Sequence, residues 1–292
     1  MCQYTRYKDK LFRFIFNHNK EWLLSLYNAL NGTHYTDPVE LTITTLEDVI
    51  YIKMKNDISL LLDSEMNLYK HQSSWNPNMP LRGLFYFSTL YKAYLSAQEK
   101  DLYGKTLVKI PAPRYVVFYN GDRKTGDVVK LRLSDAFEKD DESGEFQWTA
   151  TLYNINQDHN KALQDSCVAL KHYSIYVDKV KRKLAAGLSL EQAAPEAVKE
   201  AIEENLLDGF FKKHEKGVLD MTLTEFNEEE FIRNRKEEGR EEGKYEATIN
   251  MARYLCKENV SEDLTISALQ KELSLSHEEA KELFEKEVAC FV

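Results

Sequence analysis

The sequence predicts an α/β protein: a mixed sheet flanked by helices, followed by a helical C-terminal extension. Three observations lead there. Short apolar runs bounded by turn residues recur across the first half, around 57–73, 114–119 and 146–153, as strands do. Segments before and between these runs carry apolar residues at helical spacing. From Asn160 onward only helical patterning remains. A chain of 292 residues, 43% of them hydrophobic and with 14 Phe and 17 Tyr, has ample material for a packed core.

In order, residues Lys8 to Leu30 place Leu11, Phe12, Ile15, Phe16, Trp22, Leu23, Leu26 and Leu30 at helical intervals. They predict two helices, or one bent near Asn17–Asn19, with Gly32 as the C-terminal stop. Leu41 to Lys55 is β-rich and leads into a hairpin. Pro77 and Pro80 mark a turn, and Leu81 to Leu95 carries Leu84, Phe87, Leu90, Tyr91 and Tyr94 on the face of a helix that packs on the sheet. Arg114 to Tyr119, between Pro113 and Asn120-Gly121, reads as a buried strand, and Phe146 to Tyr153 as another. Beyond these, helices are expected over Lys161–Leu184, Ser189–Leu207 and a short piece to about Lys213. A long charged helix from Glu228 to about Lys257 comes next, then a pair, Leu264–Leu273 and His277–Val288, with Ser276 as N-cap.

The hairpin holds the chemistry. A two-residue tip at Ser64-Glu65 would pair Asp63 with Met66, Leu61 with Leu68, Ser59 with Lys70 and Asp57 with Gln72. Alternation along strands then projects Asp57, Ser59, Lys70 and Gln72 from one face, and His71 with Tyr69 from the other. Read from the residues alone, Asp57 is a turn residue or the first of a strand, Gln72 a sheet residue, and His71 a packed, hydrogen-bonded histidine. Glu65, at the tip, and Asp63 lie about 26 and 20 Å along the strand from Asp57, too far to share an ion with it.

The block from Asp57 through LYKHQSSWNPNMPLRGLFY (68–86) resembles the PD-(D/E)XK family of putative transposases and recombination-promoting nucleases. So do YKDKLFRFIF (7–16), EWLLSLYNALNGTHYTDP (21–38), LRLSDAF (131–137), WTATLYNIN (148–156) and EEGREEGK (237–244). The resemblance implies a restriction-endonuclease-like core (helix, three strands, helix, strand) and Mg²⁺-dependent DNA endonuclease activity. It further implies a site with Asp on the first hairpin strand and Glu-x-Gln on the second. Asp57 falls on the metal-binding aspartate and Gln72 on the glutamine, while Asp9 matches an acidic position of the first helix. Arg82, near the start of the helix after the hairpin, is placed to meet a DNA phosphate. The glutamate position holds Lys70. Mg²⁺ takes hard oxygen ligands, usually one or two carboxylates, so Mg²⁺ binding is expected to be weak or absent and catalysis impaired or lost. The rival expectation is a catalytically silent DNA-binding or regulatory protein that works through oligomers.

The charge divides the chain into 1–224, nuclease-like with a helical second half over about 160–214, and an acidic helical tail, 225–292. The tail has 18 acidic and 10 basic residues, a net of −8, against −9 for the whole chain. Acidity in the tail opposes DNA contact there. Gly239 and Gly243, on one helix face within EEGREEGK, suit either a close helix-to-helix contact or a solvated charged linker. The tail is expected to drive homo-oligomerisation. The four cysteines, Cys2, Cys167, Cys256 and Cys290, are widely spaced, and no run is long and apolar enough for a membrane span or signal sequence. A cytoplasmic protein with no membrane partner is expected.

Overall fold

The computed structural model describes residues 10–43, 58–62, 64–141, 143–258 and 260–288, with the backbone alone for 40, 42–43, 225–239 and 241–242. It divides into two compact units, 1–229 and 230–292.

The first unit is built on a six-stranded mixed sheet. Its strands are β1 (Thr42–Ile43), β2 (Ile58–Leu62), β3 (Glu65–Gln72), β4 (Ala112–Tyr119), β5 (Val128–Arg132) and β6 (Thr149–Asn154), in the order β1-β2-β3-β4-β6-β5. β2 runs antiparallel to both of its neighbours, β1 and β3, while β3, β4 and β6 are parallel and β5 returns antiparallel to β6 at the edge. The chain passes from β3 to β4 through α3 (Met79–Ala97), the crossover that a parallel pair requires.

Two helices precede the sheet, α1 (Lys10–His18) and α2 (Lys20–Asn31). The break between them is chemical. Asn19 takes an extended conformation, and its side-chain oxygen accepts the N–H groups of Glu21 (2.8 Å) and Trp22 (3.3 Å), capping α2. Gly32, in the left-handed region at φ 65°, ends α2.

The two faces of the sheet carry different cores. Met66, Leu68, Tyr115, Val117, Tyr119, Ala150 and Leu152 pack against Met79, Tyr86, Phe87 and Leu90 of α3. On the other face Ile58, Leu60, Leu62, Tyr69, Val116 and Phe118 meet α1, α2 and α5 (Val168–Ala185) through residues such as Phe12, Phe16, Leu23, Leu26 and Tyr173. β3 is therefore buried along nearly its whole length, as a strand covered on both faces must be.

The hairpin corrects one sequence expectation. Its closing pair is Leu62–Glu65, so Ser59 faces Leu68 and Leu61 faces Met66, a slip of two residues from a tip at Ser64-Glu65. Ser64 adopts φ 58°, the left-handed conformation that tight hairpin loops require, and Glu65 becomes a strand residue. A slip of two preserves which residues share a face; a slip of one would have inverted it.

Further on, the expected helix over 161–184 is broken at Cys167 into α4 (Lys161–Ser166) and α5. α6 (Leu190–Glu203) follows, tied to α5 by Lys179 and Lys183, which pair with Glu196, Glu200 and Glu204 at 2.7–3.1 Å. After α7 (Phe210–Lys213), α8 begins at Glu215, well before the expected Glu228, and runs unbroken to Lys257. Its opening turns belong to the first unit's core through Val218 and through Thr222, whose hydroxyl lies 2.7 Å from that of Tyr176.

The second unit holds the end of α8, α9 (Glu262–Leu273) and α10 (His277–Glu287) around a small core of Ile249, Ala252, Ile266, Leu269, Ala280, Phe284 and Val288. Ser276 caps α10 as expected, in a reciprocal box with Glu279. Among the described residues, no helix is long and apolar enough to cross a membrane.

Candidate functional site

Lys70 and Gln72 occupy the C-terminal half of β3 and share the face that packs toward α3. Their neighbours across the parallel pairing are Val117 and Tyr119 of β4. Both are buried, at 8% and 9% exposure. A lysine this enclosed stays charged only when its ammonium is engaged, and Lys70 is not without a partner. Asp57 and Asp9, together with Asp63, Glu47 and Asp48, lie outside the described residues. Of the four residues expected to form the catalytic group, the structure thus places Lys70 and Gln72 together.

His71 points to the opposite face. Its ring is 1% exposed, stacks on Phe12 with centroids 5.3 Å apart, and lies 2.9 Å through Nε2 from the Tyr173 hydroxyl. It is a packed core histidine with no route to the Lys70 face. Tyr69 shares this environment, and burial, reinforced by Tyr27 and Glu65, pushes its phenol well above the ordinary range. Burial likewise raises the Cys167 thiol, which leaves it a poor nucleophile.

The loops after β3 and β4 meet beside Gln72. The N–H of Asn120 donates to the Gln72 carbonyl at 3.1 Å, continuing the parallel ladder by one residue. Gly121 then passes so close to the preceding loop that a Cβ there would stand 1.8 Å from the Ser73 carbonyl oxygen. Arg123 lies over the Trp75 ring, 4.4 Å from its centroid, and its N–H donates to the Tyr119 hydroxyl at 3.0 Å. Trp75 meets Tyr119 edge to face at 6.2 Å. The arrangement is a rigid, aromatic-braced rim at the carboxyl end of two parallel strands, where open α/β sheets place their ligands.

Arg82 lies in the first turn of α3, as expected. Its Nε and Nη2 donate to the Tyr86 hydroxyl at 3.1 and 2.8 Å, and its Nη1 approaches the Met79 sulfur at 3.5 Å. Those contacts hold the guanidinium over α3 itself. Tyr86 and Phe87 are core residues, with Tyr91 and Tyr94 packed beside them.

Lys70 brings an amine and Gln72 a neutral amide to this face, neither of them the hard carboxylate that Mg²⁺ prefers, and among the described residues no group of three or more His, Cys, Asp or Glu is arranged to hold a metal.

No family model, no curated protein and no solved structure matches this chain.

Proposed function

We propose that the chain is a PD-(D/E)XK transposase-like nuclease whose catalysis is impaired or silenced by Lys70. The observation that carries the reading is that Lys70 and Gln72 share one buried face of β3, at the carboxyl end of parallel strands. That is where the resemblance puts Glu-x-Gln. The element order α1-α2-β1-β2-β3-α3-β4, with an antiparallel meander followed by a parallel strand, supports a restriction-endonuclease-like core. On this proposal Asp57 supplies the remaining carboxylate, Gln72 orients water or the scissile phosphate, and Asp9 acts from further out. The partner is DNA, and Arg82 meets a phosphate only after leaving Tyr86.

The proposal makes Lys70 decisive. An ammonium within about 4 Å of an ion position opposes Mg²⁺ by several kcal/mol at an effective dielectric near 20. Lys70→Glu removes that repulsion and adds a hard oxygen ligand. In a plasmid-nicking assay with Mg²⁺ or Mn²⁺, Lys70→Glu is expected to cleave where this chain cleaves weakly or not at all, and a further Asp57→Ala to abolish the gain. Equal cleavage by this chain and Lys70→Glu refutes the role given to Lys70. DNA binding without cleavage in both supports the second reading, a silent DNA-binding or regulatory protein, for which the buried lysine is the specific observation.

A further inference from the structure

The sheet face opposite Lys70 is covered by helices over β2, β3 and β4, whereas toward the β5 edge Lys130 and Arg132 are exposed and Thr149 and Thr151 half-buried. There, beside the C-terminal end of α2, the structure holds a groove of about 600 Å³. Its lining is strongly biased in charge. Arg114 on β4 and Lys130 and Arg132 on β5 border it, with Thr149 and Thr151 of β6 between them, and among the described residues no carboxylate lines it. The sheet register fixes this grouping. Lys130 pairs with Thr151 and Arg132 with Thr149, so all four side chains share one face, while Val129 and Leu131 pack on the α3 side. Lys130 and Arg132 are exposed and make no ion pair among the described residues. Arg114 is paired with Glu65 at 2.8 Å, which raises its affinity for its proton further, yet its side chain remains 57% exposed.

A second observation concerns Asn67. It lines the same groove at 1% exposure, and its Nδ2 has no hydrogen-bond partner among the described residues. A buried amide donor without an acceptor is costly, and an anionic oxygen drawn into the groove would supply one.

We infer that this groove seats the phosphodiester backbone of one nucleic-acid strand, with Lys130 and Arg132 meeting successive phosphates and Arg114 a third. The two β5 cations stand two residues apart on one side of a strand, about 6.7 Å. That spacing suits neighbouring phosphates on a single strand better than one compact anion. Contacts to phosphate carry no base information, so binding is sequence-independent and salt-sensitive. The inference rests on the proposed function only for its choice of partner; the groove lies on the other face of the sheet and needs no metal.

The test is fluorescence anisotropy of the full chain with a labelled single-stranded oligodeoxythymidylate in EDTA, across a salt series. Lys130→Ala/Arg132→Ala is expected to reduce the slope of log K against log salt by about 1.4, since each single-strand phosphate contact contributes about 0.7. Lys105→Ala/Lys109→Ala, which removes the same charge from the loop before β4, is expected to leave the slope unchanged. Three outcomes overturn the inference: an unchanged slope in the β5 variant, an equal fall in the loop variant, or displacement of the oligonucleotide by inorganic phosphate at matched ionic strength, which marks a small-anion pocket. Charges on an edge strand also oppose strand pairing between molecules. Self-association of the β5 variant with undiminished DNA binding assigns them that role instead. Because the assay excludes metal, failure of Lys70→Glu to cut DNA leaves this result untouched.

Discussion

Lys70 and Gly121 show two ways in which single residues fix this surface. At Lys70 a long polar side chain is enclosed: the flanking Leu68, Val117 and Tyr119 belong to the core of that sheet face, and Lys70 sits beside them at 8% exposure. At Gly121 shape itself is the constraint. A methyl group there would overlap the Ser73 carbonyl oxygen and stand 2.5 Å from the Tyr119 hydroxyl, and neither can yield without moving the β3 or β4 loop. Gly121→Ala is therefore expected to destabilise the fold by about 3 kcal/mol or more, the upper range for overpacking. Urea unfolding measures this; a loss under about 0.5 kcal/mol, typical of unremarkable surface changes, would show that the rim gives way freely.

At the scale of elements, the connection after α6 is held by one imidazole. Asn205, Leu207, Asp208 and Gly209 all take positive φ, and for Leu207, at 53°, that conformation costs roughly 1–2 kcal/mol. The Leu207 N–H donates to Nδ1 of His172 on α5 at 2.9 Å, so His172 must keep that nitrogen unprotonated. Burial, with Lys171 acting in the same direction and Asp208 against it, holds His172 below the usual imidazole range. The unfolded chain then binds a proton that the folded chain resists as pH falls below about 6.5, so stability declines with falling pH and levels off once the folded-state value is passed. His214, lowered by its own burial and by His18, adds to the same slope. His172→Gln offers Leu207 an acceptor that does not titrate. Its melting temperature is expected to fall less between pH 7 and pH 5 than that of this chain, and parallel curves would refute the role of His172.

The same elements show what the sequence made legible. Asn19 and Gly32 announce the α1–α2 break and the end of α2 because capping chemistry is local. Lys70 and Gln72 share a face in any hairpin register because they stand two apart on one strand, and the slip of two leaves unchanged which β2 residues, such as Ser59, face the same way. β5 is not legible as a strand in the sequence: its alternation spans five residues, too few to stand out from a turn-rich loop, and its outward Lys130 and Arg132 gain meaning only once β6 is beside them. The break at Cys167 has no Gly or Pro to mark it, and the early start of α8 depends on the tertiary contacts of Val218 and Thr222.

At the scale of the whole molecule, the division at 229/230 falls within α8, close to the charge boundary read from the sequence, and the tail carries a core of its own. Among the described residues that core holds seven buried residues, of which two are alanines. Small units commonly gain their remaining stability by association. We propose that the tail self-associates, as its glycine spacing and mixed charges suggested, and Gly243 makes the proposal testable. A Cβ at Gly243 would meet nothing within 4 Å, so within one chain Gly243→Ala meets no clash and should stabilise α8 by up to about 1 kcal/mol. If that face packs closely on a second copy, the added methyl group instead holds the helices apart. Light scattering is expected to show a smaller assembly for Gly243→Ala at fixed concentration, and a smaller one still after deletion of 230–292, with the DNA binding proposed for the first unit retained. A higher melting temperature with an unchanged assembly would make α8 a solvated charged helix and remove the tail from any account of oligomerisation.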